Sequence, residues 1–196
     1  MLKIGITGGI GSGKTTVSHI FKILGIPIYN ADFEAKKLMN TKPLLIENIK
    51  QSFGQNAYFK TGELNRKYIS NIVFNDVKQL KVLNNIVHPA VFSDFFDWCN
   101  IQKSPYVLKE AALLFETNFY KQNDYNILVS SPLCMRINNV IKRDNVNQEK
   151  VISIINKQMP EDSKQRLANF TIYNNENSFL INQVLKLHSH FKSLAK

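Results

Sequence analysis

Only two cysteines, Cys99 and Cys134, occur in 196 residues. Neither has a CxxC partner or a histidine nearby in sequence, so the expected state is a pair of buried, reduced thiols, and a disulfide framework or metal knuckle is disfavoured. Long apolar runs are missing as well. No window approaches 18 uninterrupted apolar residues, which excludes a transmembrane helix. The opening apolar stretch is too short for a signal peptide and runs straight into glycines, so a cytoplasmic location is expected. Acidic residues are few, 15 against 25 basic ones, for a net charge of +10. Arginine is scarce, at Arg66, Arg136, Arg143 and Arg166 alone. The lysines are dispersed, with Lys36-Lys37 the one adjacent pair, and no zinc-finger spacing, RGG run or aromatic RNP pattern accompanies them. The charge therefore reads as a solvated basic surface that attracts small polyanions, with no nucleic-acid or membrane partner expected.

What is present is an ordinary apolar fraction, 44%, enough for the core of one compact domain with insertions. Short apolar strands alternate with helical stretches, the pattern of a parallel sheet covered by helices. Strands are expected near residues 2–7, 27–29, 106–110, 125–130 and 170–173. The first helix should run from Lys14 to about Leu24, where Gly25 and Pro27 stop it. Between Asp32 and about Lys103 the pattern is helical, at 35–39, 44–53, 68–74 and 80–98, and reads as a helical insertion. A polar helical pair from Arg136 to Ile155, broken near Asp144–Asn147, has the composition of a mobile lid. An amphipathic helix from about Ser178 to Lys196 closes the chain.

The most informative segment is Gly8-Gly9-Ile10-Gly11-Ser12-Gly13-Lys14-Thr15. It fits the phosphate-loop template GxxxxGK[ST] and follows an apolar strand. Backbone N–H groups can ring a phosphate only where no Cβ intrudes and several residues can take positive φ. Lys14 then supplies a charge for the β and γ phosphates, Thr15 a hydroxyl for Mg2+, and the helix that begins there its positive end. A dinucleotide fingerprint started at Gly9 and Gly11 would need glycine where Lys14 stands. A GTP switch would need NKxD, and Asn156-Lys157-Gln158-Met159 ends in Met. A nucleoside triphosphate site serving phosphoryl transfer to a small molecule fits better.

Asp32 follows the second strand in Tyr29-Asn30-Ala31-Asp32. It can act as a base on an attacking hydroxyl or as a helix N-cap, and the two roles are compatible. Arg136 and Arg143, seven apart, can project from one helix face, where a lid arginine would stabilise transferring phosphate; a solvated face is the alternative. His88 precedes Pro89 at an expected helix break, as a cap or a phosphate contact. Glu110 places an acid at the C-terminal end of a strand, where open α/β sheets bind ligands. His188 and His190 are two apart in a helix and cannot share a face, so no metal site is expected there.

Taken together, these residues resemble the dephospho-CoA kinase family along nearly the whole chain. The matching segments are Ile4 to Val17 with its Thr7-Gly8-Gly9-Ile10 lead-in, Asn30-Ala31-Asp32, Gly62-Glu63-Leu64-Asn65-Arg66, His88-Pro89, Leu113-Leu114-Phe115-Glu116, Lys142-Arg143-Asp144, Gln158, and Ile172-Tyr173-Asn174. The resemblance implies an α/β phosphate-loop kinase with a five-stranded parallel sheet. Residues 1–31, 104–135 and 166–196 would form the nucleotide-binding core, 32–103 a helical acceptor domain and 136–165 a lid. It implies ATP and Mg2+ as cofactors, dephospho-CoA as acceptor and coenzyme A as product, with a monomer expected. Carried onto this chain, Gly11, Ser12, Gly13, Lys14, Thr15 and Thr16 would hold the ATP phosphates. Thr15 would bind Mg2+, Asp32 would be the base and contact the acceptor, and Lys14 and Arg143 would stabilise the transferred group. Arg66, His88 and Glu116 would serve the acceptor side and Asn174 the adenine side. The chain departs from the common family pattern at Ala112, where proline is usual, at Arg136 and Asn139 on the lid-entry helix, and at Asn169.

Overall fold

A computed structural model describes residues 1–195; the expected end of the last helix at Lys196 lies outside the described residues. Two compact units emerge, Met1–Asn30 with Gln102–Lys196, and Ala31–Ile101.

The first unit is built on five strands, β1 (Leu2–Thr7), β2 (Ile28–Asn30), β3 (Tyr106–Glu110), β4 (Tyr125–Ser130) and β5 (Phe170–Tyr173). They are all parallel, in the order β2-β3-β1-β4-β5. Parallel sheets bury both faces, which is why β1, β3 and β4 read as near-continuous apolar runs. The short β2 and β5 form the edges, three and four residues long, and leave little ladder for foreign pairing. The helices of this unit are α1 (Lys14–Ile23), α6 (Leu133–Asp144), α7 (Gln148–Asn156), α8 (Glu161–Leu167) and α9 (Leu180–Leu194), and α1 and α9 pack on each other. Ile4, Ile6, Leu108, Ile127 and Val129 of the sheet meet Phe21 of α1 and Val184 and Phe191 of α9 in one core. Fully buried, Phe191 edges onto Tyr106 and Phe170; truncating such a side chain to alanine costs about 3–5 kcal/mol. The inner strand β3 also carries a fully buried lysine, Lys109, whose ammonium lies 4.4 Å from the centre of the Phe119 ring, a contact that offsets part of its desolvation.

The second unit is helical, with α2 (Ala31–Thr41), α3 (Pro43–Phe53), α4 (Arg66–Asn75) and α5 (Val77–Asn100). Asn65 caps α4 by accepting from Tyr68 N, and Asp76 caps α5 by accepting from Lys78 N and Gln79 N, which supplies acceptors to otherwise orphaned first-turn donors. Tyr58 Oη donates to Met39 O at 2.7 Å, and burial pushes its hydroxyl up to about 12.

Three expectations need correction. The helix does not break at His88-Pro89: α5 runs through Pro89 for 24 residues. Proline costs one backbone donor there, but Val87, Val91, Phe95 and Cys99, spaced four apart, stay buried where α5 packs on α2, α3 and α4. That packing keeps the helix continuous. His88 therefore lies within the helix and not at a helix end. Asp32 is likewise inside the first turn of α2, not at its N-cap. Of the two free thiols Cys99 is buried, but Cys134 is exposed, because the buried face of α6 is formed by Arg136 and Val140.

Candidate active site

The phosphate loop leaves β1 at the C-terminal edge of the sheet. Ile6 there is registered against Glu110 of β3 and Ile127 of β4. Gly11 and Gly13 have φ of 78° and 89°, a region that disfavours any residue with a Cβ. A Cβ on Gly11 would also run into the Arg136 carbonyl, and one on Gly13 into the Asn174 amide. Gly13 leads into α1, so the first N–H groups of that helix face the loop and carry its positive end.

Around the loop lies a cavity of about 580 Å³ lined by Gly8 to Thr16, Ala112, Asn139, Arg143, Ile154, Gln158 and Asn174. The expected donor-side residues Gly11, Ser12, Gly13, Lys14, Thr15, Thr16, Arg143 and Asn174 thus share one cavity. Asn174, just past β5, donates through Nδ2 to Ser12 O at 2.9 Å. Arg143 stands exposed in the last turn of α6, forked onto Asp144 at 2.7 and 2.8 Å. That hydrogen-bonded pairing raises the arginine's pKa and holds the Asp144 carboxyl below its ordinary value.

Glu110, at the end of β3 and 4% exposed, contributes the chemistry most easily overlooked from sequence. Its Oε1 accepts from Thr15 Oγ1 at 3.0 Å and lies 3.2 Å from Lys14 Nζ. One carboxylate oxygen therefore holds both functional side chains of the loop motif. The only sequence signal was an acid at the terminus of a buried strand. The pair of oxygens, Thr15 Oγ1 and Glu110 Oε1, is a hard donor set of the kind Mg2+ uses alongside phosphate oxygens and water, so the residues present fit that ion.

Arg136 and Arg143 do not act alike despite their spacing. Arg136 is buried beneath the loop, donating from Nε to Ile10 O at 3.1 Å and pairing with Glu161 at 3.5 Å. Asn139, one turn later, donates to Gly11 O at 2.9 Å. The departures from the common family pattern on α6 are thus backbone struts of the loop. Glu116 points to Lys164 Nζ at 3.0 Å, an electrostatic contact without aligned hydrogen-bond geometry, and accepts from Met159 N at 3.0 Å; it does not line the cavity.

In the helical unit, Arg66 is exposed at the start of α4 and lines a cavity of about 460 Å³ with Asn40, Phe59, Glu63, Leu64, Asn65 and Lys67. Asp32 is exposed in the first turn of α2, and His88 is half-buried on α5.

The sequence profile described as dephospho-CoA kinase matches residues 2–179. The chain belongs to the dephospho-CoA kinase family. The dephospho-CoA kinase of Bacteroides fragilis is 34% identical over 187 residues, 95% of this chain and 91% of that protein. A crystal structure of a Thermus thermophilus protein superposes with a TM-score of 0.86 at 31% identity, covering 96% of each chain. The dephospho-CoA kinase structure from Campylobacter jejuni, at 24% identity and a TM-score of 0.71 over 99% of this chain and 98% of that one, shares the fold. As a member of the dephospho-CoA kinase family the chain is an ATP-dependent kinase, a transferase.

Proposed function

We propose that this protein transfers the γ-phosphoryl group of ATP to the ribose 3'-hydroxyl of dephospho-CoA, giving ADP and coenzyme A and completing coenzyme A synthesis. The observation that carries this reading is the loop cavity itself, lined by Lys14, Thr15 and Arg143, with Glu110 at the sheet edge holding both Lys14 and Thr15. Gly11 to Thr16 hold the ATP phosphates through backbone N–H groups, and Lys14 carries charge to the β and γ phosphates. Thr15 and Glu110 would hold Mg2+, which neutralises phosphate charge and keeps the chain of phosphates in line.

Asp32 accepts the proton of the 3'-hydroxyl as the oxygen bonds to the γ-phosphorus and the β–γ bridging bond breaks. Its support is position: Asn30, the last residue of β2, is registered beside Glu110, and Asp32 follows two residues later. Arg143 exchanges Asp144 for the charge that develops on the transferred group. We assign 32–103 to acceptor binding, with Arg66 and His88 among its contacts and Glu116 supporting that side. We assign 136–165 to the lid and Asn174 to the adenine side. The reading treats the protein as a cytoplasmic monomer acting on two small molecules. No helix of the described residues is long and apolar enough to cross a membrane.

Purified protein given ATP, Mg2+ and a panel of dephospho-CoA, nucleosides and nucleotides should release ADP with dephospho-CoA and lose that turnover in Lys14→Ala. Asp32→Asn should keep ATP affinity in a direct titration and lower kcat by ~10² or more, as loss of a general base does. ADP release that ignores dephospho-CoA sinks the substrate assignment, and an unaffected Asp32→Asn variant sinks the base.

A further inference from the structure

Ile10 sits at the middle of the phosphate loop, and both polar groups of its backbone are held by side chains from distant parts of the chain. Its N–H donates to Gln158 Oε1 at 3.0 Å, and its C=O accepts from Arg136 Nε at 3.1 Å. These are the two ends of one brace. Gln158 lies in the link between α7 and α8, and Glu161, three residues on, is the carboxylate that pairs with Arg136. The same link is fastened below by the Met159 N–H on Glu116, which also faces the buried Lys164. A loop with four glycines in six positions loses much conformational freedom when it takes one shape. External bonds that fix its backbone before a ligand arrives reduce that loss on binding.

We infer that Gln158 is a positioning residue for the donor site. Its amide oxygen fixes the Ile10 peptide so that the neighbouring loop N–H groups converge on the ATP phosphates, and Glu161 steadies the opposite end of that brace through Arg136. The residues bracing the loop, Arg136 and Asn139 on one side and Gln158 to Lys164 on the other, belong to the loop's frame. The moving part of the lid is then 140–157, which carries Arg143.

This rests on the loop being the ATP site, so one readout is independent of turnover and of the acceptor. Amide hydrogen exchange of Ile10 is compared among the wild type, Gln158→Met, which keeps the length without the acceptor, and Gln158→Glu, which restores an acceptor oxygen. ADP affinity is titrated alongside. In Gln158→Met the Ile10 amide should exchange about fivefold or more faster, the yield of one lost hydrogen bond. ADP binding should weaken by a similar factor while the Leu108 amide in the sheet keeps its protection. Gln158→Glu should return the Ile10 protection even if its charge repels the nucleotide. Unchanged Ile10 exchange in Gln158→Met overturns the inference, as does faster exchange spreading to Leu108 or an unaltered ADP affinity. Should Gln158→Met fail to fold, Gln158→Asn, too short to reach, is held to the same criteria.

Discussion

A single oxygen of Glu110 serves the ammonium of Lys14 and the hydroxyl of Thr15, and a pairing this enclosed constrains what can replace it. Removing the carboxylate leaves the Lys14 charge facing a largely dry strand end. We expect Glu110→Ala to lower stability toward urea by about 2 kcal/mol, less than for a wholly buried pair because Lys14 keeps some contact with water. Saturating ATP should recover most of that loss by giving Lys14 a new anionic partner, an outcome checked by repeating the urea curves with nucleotide. Equal losses with and without ATP would mean that Lys14 does not reach the phosphates. At this scale the sequence showed the loop motif and the types of its partners, but not which partner meets which. Arg136 and Arg143 share a helix and a chemistry; Arg136 turns inward because of contacts far along the chain, Ile10 at a separation of 126 residues and Glu161 well beyond its own helix.

Among the elements, the strands were the most legible, because buried parallel strands are written as short apolar runs between turn residues. β1, β3, β4 and β5 fall where the runs lie, and β2 is displaced by one residue. α5 was misread at Pro89 because a local breaker was weighed without the four-residue stripe that packs on three other helices. α9 offers a test of how an element is fastened. His188 Nδ1 lies 2.7 Å from Tyr106 Oη of β3, and burial, with help from Lys192, lowers the histidine's pKa below 6.5. The Tyr106 hydroxyl is itself pushed up by burial and stays neutral. A histidine with a depressed folded-state pKa takes up protons more readily when unfolded, so its contribution is intact above pH 6.5 and is lost as pH falls below it. Melting temperatures taken from pH 7.5 down to 5 should therefore fall more steeply in the wild type than in His188→Gln. Parallel curves would show that the contact does not sense protonation.

For the whole molecule, the family and the α/β architecture were legible from motif order, since the phosphate loop, the Asn30-Ala31-Asp32 turn and the Lys142-Arg143-Asp144 segment recur with sensible gaps. The brace through Gln158 was not, because its partners are backbone atoms and carry no sequence signature. The strand order has a further consequence for how the chain reaches its native state. β1 has only β3 and β4 as sheet neighbours, so it finds no strand partner until roughly a hundred residues more have joined the chain. The intervening helices can meanwhile form through contacts close in sequence. High sequence separation slows assembly because loop closure must precede any reward from pairing. In refolding followed by pulsed hydrogen exchange, amides of α5 should gain protection before those of Ile4 and Ile6. A ribosome-bound chain ending near residue 100 should hold a helical segment while its phosphate loop has as yet no sheet to stand on.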